Sequence, residues 1–236
     1  MKIEVLYPEV CCLYGDKANW LYLQRCLPDA EVIRTALTDT PRFAAEDVDL
    51  IYIGSMSEAS QELLIDLLWP YRDRLREIMD AGRTTILLTG NALELFGTFI
   101  RREDGTRKEG LGLLPLHAVR QAPTRFNSLI MGDADGTTVV GYTSRFSHAY
   151  PDADLPGLVT VQMGVGLNPD TRIEGIHSGR LYATYILGPL LIANPDVTKR
   201  LLAELGAPDD LPFEAETYRA YEKKLAEMRR PGLALD

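Results

Sequence analysis

The chain has 236 residues, 46% of them hydrophobic and 25% charged, with a formal net charge of −9. That length buries a core without disulfides or metal, and the acidic balance excludes a general affinity for phosphate backbones or anionic membranes. No apolar run reaches the roughly 18 residues that a bilayer span needs.

The opening MKIEVLYPEV carries Glu4 and Glu9 and reads as a first strand over 2–7, not as a signal peptide. Cys11, Cys12 and Cys26 show neither CxxC spacing nor an even framework, so reduced thiols in a cytoplasmic protein are expected. A helix follows over 16–27, with Asp16 as its N-cap and Trp20, Leu23 and Leu27 at helical spacing. Strands are predicted at 30–36 and 49–53, the second ending at Gly54. A helical region over 58–82 is broken at Pro70 and stopped at Gly82. An apolar strand at 84–88 turns directly into a helix over 91–97. Strands that are nearly continuously apolar and alternate with helices argue for a parallel sheet covered on both faces.

The middle has another character. FIRREDGTRKEG holds a DG turn between extended pieces and reads as a hairpin. From 116 to 186 come short β segments (LHAVRQ, SLIMGD, TTVVGY, LVTVQ, RLYATYI), expected to complete the same sheet with antiparallel additions. Helices return over 195–205 and 213–229, and the tail PGLALD is expected to fray. A main α/β domain over 1–206 with a helical extension over 207–236 is the expected division.

Ligands of open parallel sheets sit at the carboxyl ends of the strands. Two turns there stand out: Ile53-Gly54-Ser55-Met56-Ser57, and Leu88-Thr89-Gly90-Asn91-Ala92. The second has the strand-turn-helix form of a nucleophile elbow. Its central residue is Gly90, which can adopt the strained conformation but has nothing to attack with. A register shifted by one would put Thr89 there instead.

Five segments, in order over 1–205, resemble class I glutamine amidotransferases. They are LYPEVCCLYGDKANWLYLQRC, IYIGSMSEASQ, ILLTGNALELFG, EGLGLLPL and EGIHSGRLYATYILGPLL. The nearest similarity is to the glutaminase subunit of lipid II isoglutaminyl synthase; a more distant one is to the glutaminase domains of cobyric acid synthase. The resemblance implies a flavodoxin-like fold with a mostly parallel central sheet, antiparallel additions and helices on both faces. It also implies an elbow of the form Cys-Gly-Gly-aromatic-Gln-x-x-Gly and a Tyr-x-His-Gly-Pro block. Aligned on Gly97, Gly90 stands at the family's cysteine and Glu94 at its glutamine. Aligned on Tyr185 and Gly188-Pro189, Leu187 stands at its histidine. Thiol-based amide hydrolysis needs both the thiolate and the proton carrier.

The resemblance implies a pocket of Gly54, Ser55, Gly90, Asn91, Glu94 and Arg125. Ser55 and Met56 replace expected glycines of the oxyanion turn, and Glu94 is expected to bring a carboxylate against the old substrate site. His177 and Cys11 are the candidates for substitute catalytic groups. Arg101, Arg102, Arg107 and Lys108 flank the hairpin turn as either a solvated basic face or a docking surface. No metal-ligand spacing and no phosphate-binding glycine loop is present, so no metal or other cofactor is expected. By resemblance the partner is a Mur-ligase-like synthetase that amidates a peptidoglycan precursor. Three functions stay open: a non-catalytic subunit of such a pair, an active amidotransferase with displaced residues, and a sensor of glutamine or a related small molecule. Nucleic acid and membrane insertion are not expected.

Overall fold

The computed structural model describes residues 1–230; the PGLALD tail lies outside them. The apolar runs of the first half become β1 (Lys2–Leu6), β2 (Glu31–Thr35), β3 (Leu50–Ile53) and β4 (Thr85–Thr89), with α1 (Lys17–Cys26), α2 (Glu58–Leu68) and α3 (Arg72–Ala81) between them. A 3-10 turn containing Pro70 separates α2 from α3, because proline cannot donate to the helical ladder. Gly82 closes α3 in the left-handed region, at φ 59°.

After β4 the chain enters a 3-10 helix, Gly90–Phe96, where the sequence predicts an α-helix over 91–97. Ala92 to Phe96 are all buried, so no solvent face sets a helical stripe, and the segment ends on an i-to-i+3 bond from Gly97 N–H to the Glu94 carbonyl at 3.1 Å. The predicted hairpin forms from β5 (Phe99–Arg101) and β6 (Arg107–Glu109). Then come β7 (Leu116–Arg120), β8 (Phe126–Ala134), β9 (Thr137–Arg145), β10 (Ser147–Pro151), β11 (Gly157–Met163), β12 (Ile173–Ser178) and β13 (Leu181–Thr184). Three helices end the described chain: α4 (Leu190–Ala193), α5 (Pro195–Glu204) and α6 (Glu214–Met228).

The main sheet has nine strands in the order β2-β1-β3-β4-β13-β12-β11-β8-β9. Its first five are parallel and the rest antiparallel, as the change of sequence character at the hairpin suggests. The LHAVRQ segment does not join it. As β7 it lies with β10, β5 and β6 in a separate four-stranded sheet, with Leu116, Ala118, Ala149 and Ile100 buried in the same core as α2 and α3.

Alternation along the strands splits the core in two. Ile3, Val5, Leu50, Tyr52 and Leu87 pack with Trp20 and Leu23 of α1 and Leu201 and Leu202 of α5. Leu6, Ile51, Ile53, Ile86 and Leu88 pack with Leu64, Ile65, Leu68, Leu75 and Ile78. Each such side chain contributes about 1.5–3 kcal/mol on burial. Among the described residues no helix is long and apolar enough to cross a membrane.

Strand β9 is pinned back beside the chain leaving β13 by a pair of backbone bonds. Leu187 N–H donates to the Tyr142 carbonyl at 2.8 Å, and Tyr142 N–H to the Leu187 carbonyl at 3.3 Å. Gly141 permits this approach: a Cβ there would lie 2.8 Å from the Leu187 carbonyl oxygen and press on Ile186. Gly141→Ala is therefore expected to destabilise the chain by about 1–3 kcal/mol, read as a lower urea midpoint at unchanged slope.

Candidate functional site

The carboxyl ends of β3, β4 and β13 form one crest, with Ile53 level with Leu88 and Thr184 level with Thr89. From it leave the 54–57 turn and the bend at Gly90. Thr89 is extended, with φ −120° and ψ 150°, and Gly90 reverses the chain at φ +62°. The backbone thus has the elbow form expected from the sequence. Thr89 cannot serve as its centre, because its hydroxyl points down into the core, 2.7 Å from Asp16 Oδ2 and 3.0 Å from the Tyr52 hydroxyl.

Asp16 is not the helix cap that its position before α1 suggests; it makes no capping bond. Its buried carboxylate accepts instead from Ser55 N–H at 2.7 Å, from Thr89 and from Asn19 Nδ2 at 3.2 Å. Burial pushes its pKa up, outweighing these hydrogen bonds. Asn19 in turn accepts from Leu191 N–H at 3.0 Å, linking the crest to α4.

The turn over 54–57 is locked from both sides. Ser55 N–H faces Asp16, Ser55 Oγ donates to the Leu13 carbonyl at 2.8 Å, and Met56 N–H donates to Asn91 Oδ1 at 3.0 Å. Asn91 Nδ2 returns a bond to the Met56 carbonyl at 2.9 Å. Neither the Ser55 nor the Met56 N–H is free to receive an oxyanion. An ideal Cβ on Gly90 would lie 2.5 Å from Ser55 Cβ and 3.3 Å from Leu187 Cδ2. The space a nucleophile would need is already occupied.

Above these groups is a cavity of about 160 Å³, lined by Ser55, Gly90, Asn91, Arg125 and Leu187 together with Tyr14, Arg145, Ser147 and Tyr185. Two residues expected in the pocket stand behind it. Gly54 backs onto the Cys11 carbonyl, which a Cβ there would meet at 2.5 Å. Glu94 does not face the cavity as expected. It is buried beneath it, and its carboxylate accepts from Tyr185 Oη at 2.7 Å, Gln61 Nε2 at 2.9 Å and Ser147 Oγ. Burial raises its pKa against those bonds.

Arg125 is exposed at the mouth, stacked 4.1 Å over the Phe146 ring, with Nη1 donating to Tyr14 Oη and to Ser144 Oγ. Arg145, Ser147 and Tyr185 were not separable from their neighbours by periodicity; only the Tyr-x-x-Gly-Pro block pointed to Tyr185.

The two substitute candidates lie elsewhere. His177 pairs across the sheet with Tyr182, which is level with Leu87, and stacks on the Tyr182 ring at 4.2 Å. That puts it in an apolar cavity under α5 with Leu87, Leu191 and Leu201. Cys11 is buried outside the cavity lining, and burial pushes its thiol well above the ordinary range, away from thiolate.

Two of the four basic residues of the hairpin are neutralised, while Arg101 and Arg107 are exposed and form no ion pair among the described residues. Arg102 clasps Glu62 at 2.7 and 2.9 Å, holding that carboxyl down at about 2; Lys108 pairs with Asp66, and Arg107 lies over Phe99. Among the described residues no group of three or more His, Cys, Asp or Glu is placed to hold a metal ion.

No family model matches the chain. The lipid II isoglutaminyl synthase (glutamine-hydrolyzing) subunit GatD of Staphylococcus aureus is 27% identical over 204 residues, 86% of this chain and 83% of that relative. The corresponding subunit of Streptococcus pneumoniae is 23% identical over 206 residues, 86% and 79%. PurLQS from Thermotoga maritima superposes with a TM-score of 0.53 at 12% identity, covering 95% of this chain and 98% of that one. A glutamine amidotransferase from the same organism gives 0.54 at 10% identity, covering 97% and 95%. The fold is accordingly the flavodoxin-like one of the glutamine amidotransferases, and the chain is amidotransferase-like, similar to the GatD subunits.

Two predictions test the site. Gly90→Cys is expected to cost about 1–3 kcal/mol, from its left-handed φ and the clash with Ser55, and Ser55→Gly added to it is expected to recover part of that loss in urea unfolding. His148, 4% exposed, has its pKa lowered from 6.5 to about 4 by burial and by the neighbouring Arg145. Between those values the unfolded chain binds more protons, so the contribution is full above 6.5 and fades as pH falls towards 4. Relative to His148→Gln, the native chain is expected to lose roughly 1–3 kcal/mol over that window.

Proposed function

We propose that this chain is an amidotransferase-like subunit that binds a Mur-ligase-like synthetase in amidation of the peptidoglycan precursor lipid II and does not itself hydrolyse glutamine. The observation that carries this reading is the packing at Gly90: a side chain there runs into Ser55 at 2.5 Å, and Leu187 stands opposite at 3.3 Å. Amide hydrolysis through a thiol needs a nucleophile at the elbow, a proton carrier beside it and free donors for the oxyanion. Gly90 supplies no nucleophile, Leu187 carries no proton, and the N–H groups of Ser55 and Met56 are spent on Asp16 and Asn91. The printed names of the relatives, and the more than three quarters of their length that align, support the subunit role.

In this role the chain supplies a rigid surface to the synthetase, which activates the acceptor carboxyl with ATP and takes ammonia from solution or another source. The setting is the cytoplasm, where the precursor's peptide is accessible. Nothing in the role calls for a cofactor of this chain's own, and the −9 charge argues against nucleic acid and anionic membrane as partners. An active enzyme with displaced residues is disfavoured by the positions of His177 and Cys11. A second reading, binding of a small molecule in the altered pocket, is favoured by the unpaired Arg145 that lines it.

Incubation of the purified chain with glutamine, alone and with the co-expressed synthetase, is expected to release glutamate at the rate of the protein-free control. Co-purification of the two chains is expected in the same preparation. Release well above control, lost on Cys11→Ala or His177→Ala, would return the chain to the active enzymes.

A further inference from the structure

The cavity over the elbow is lined by a cation, Arg145, that makes no direct ion pair among the described residues, the buried carboxylates of Glu174 and Glu94 acting on it only at longer range. Arg145 is 5% exposed, and its guanidinium lies 4.0 Å over the Tyr185 ring. Nη2 donates to the carbonyls of Gly166 at 2.5 Å and Leu167 at 3.4 Å and sits 3.3 Å from His148 Nδ1. Nε and Nη1 are buried with no acceptor at all. Arg102 and Arg120 pair with Glu62, whereas Arg145 forms no ion pair among the described residues. The buried carboxylate of Glu94 is occupied by Tyr185, Gln61 and Ser147.

Proteins rarely leave a buried charge and two donors unmet, because desolvation is not repaid without partners. Here the residue that carries the unmet group lines a cavity whose mouth holds a second guanidinium, Arg125, and whose wall includes Ser144 and Ser147. At about 160 Å³ the space falls below the 300–1,000 Å³ of drug-sized ligand sites and suits an acid of a few carbons, not a nucleotide. Two guanidiniums at different depths match two carboxylates on one short chain. Glutamine would add an ammonium group to a lining whose acidic side chain is Glu58 alone.

We propose that this cavity is a receptor for a small dicarboxylate, one carboxylate accepting from the unmet Nε and Nη1 of Arg145 and the other from Arg125. The proposal rests on the non-hydrolytic reading above, since the ligand is held and not turned over. Bound there, the acid bridges the end of β9 to the segment just before β8.

Thermal shift and calorimetry on the full chain, with succinate and 2-oxoglutarate as probes against glutamine, phosphate and chloride at equal ionic strength, test it. Saturable binding of a dicarboxylate is expected, weakened about tenfold or more by Arg145→Met and several-fold by Arg125→Gln. The Arg145→Met chain without ligand is expected to melt no lower than the native one, because an unpaired buried charge has been removed. Should that chain not fold, Arg145→Lys, which keeps the charge but loses Nε, is expected to weaken binding too. No saturable response to either dicarboxylate, an equal response to phosphate, tighter binding of glutamine, or undiminished affinity in the Arg145 variant would overturn the proposal. Glutamate release is scored separately: turnover alongside dicarboxylate binding would sink the non-hydrolytic reading, while absence of both would sink only this one.

Discussion

The buried carboxylate of Asp16 holds the crest of the sheet together. It gathers the Ser55 N–H, the Thr89 hydroxyl and the Asn19 amide, groups up to 73 residues from it in sequence. A carboxylate in that position is costly to bury, so each hydrogen bond is needed to offset desolvation, and removing one exposes the full penalty. The geometry that results is directional. Turning Ser55 N–H inward to Asp16 brings Ser55 Cβ over Gly90, and only a residue without a side chain fits beneath it. The absence of a side chain at the bend is thus written into the packing of three chain segments.

A second polar network supports the floor of the cavity. Glu94 on the elbow helix receives Tyr185 and Ser147 and passes through Gln61 to Arg120, whose other nitrogen meets Glu62 at 3.0 Å; Glu62 also takes Arg102 from the hairpin. This chain of bonds ties the elbow, α2 and both sheets into one unit. Within it Glu62 pairs with both Arg102 and Arg120, so Arg102 of the hairpin is not a free cation. Arg145 stands beside the network and outside it. Arg120 also leaves its buried Nε without a partner but pairs with Glu62 through Nη1, whereas Arg145 has no ion pair among the described residues and leaves two nitrogens unmet.

The sequence made the parallel half of the fold legible because β3 and β4 are nearly continuous apolar runs and the helices between them have their own breaks and stops, Pro70 and Gly82. It made the elbow legible because an apolar strand running into Thr-Gly-Asn has few other outcomes. The failures have local causes. Asp16 before α1 looks like a cap, and only the fold reveals that its side chain serves Ser55 and Thr89, 39 and 73 residues on. Strand β12 hides behind Glu174 and Gly175; Glu174 is buried, accepting from Thr184 Oγ1 at 2.6 Å and Tyr185 N–H at 2.7 Å, so it breaks an apolar pattern without leaving the core. LHAVRQ reads as a strand but says nothing about which sheet it joins. His177 and Leu187 are close in sequence, yet strand register puts them on different sides of the sheet, in different cavities.

A non-glycine residue held at φ near +60° costs about 1–2 kcal/mol, a strain that a surrounding fold must hold in place. Gly90 adopts φ +62° with no such cost. The bend therefore persists here as a favourable turn that needs no catalytic reason to exist. It keeps β4 feeding the buried 3-10 helix, and it keeps Asn91 where it clamps Met56 from both sides. Losing the side chain relaxes the crest while preserving its shape, and a preserved shape is what a partner surface or a ligand cavity requires. On the non-hydrolytic reading proposed above, glycine at this bend leaves the binding architecture intact.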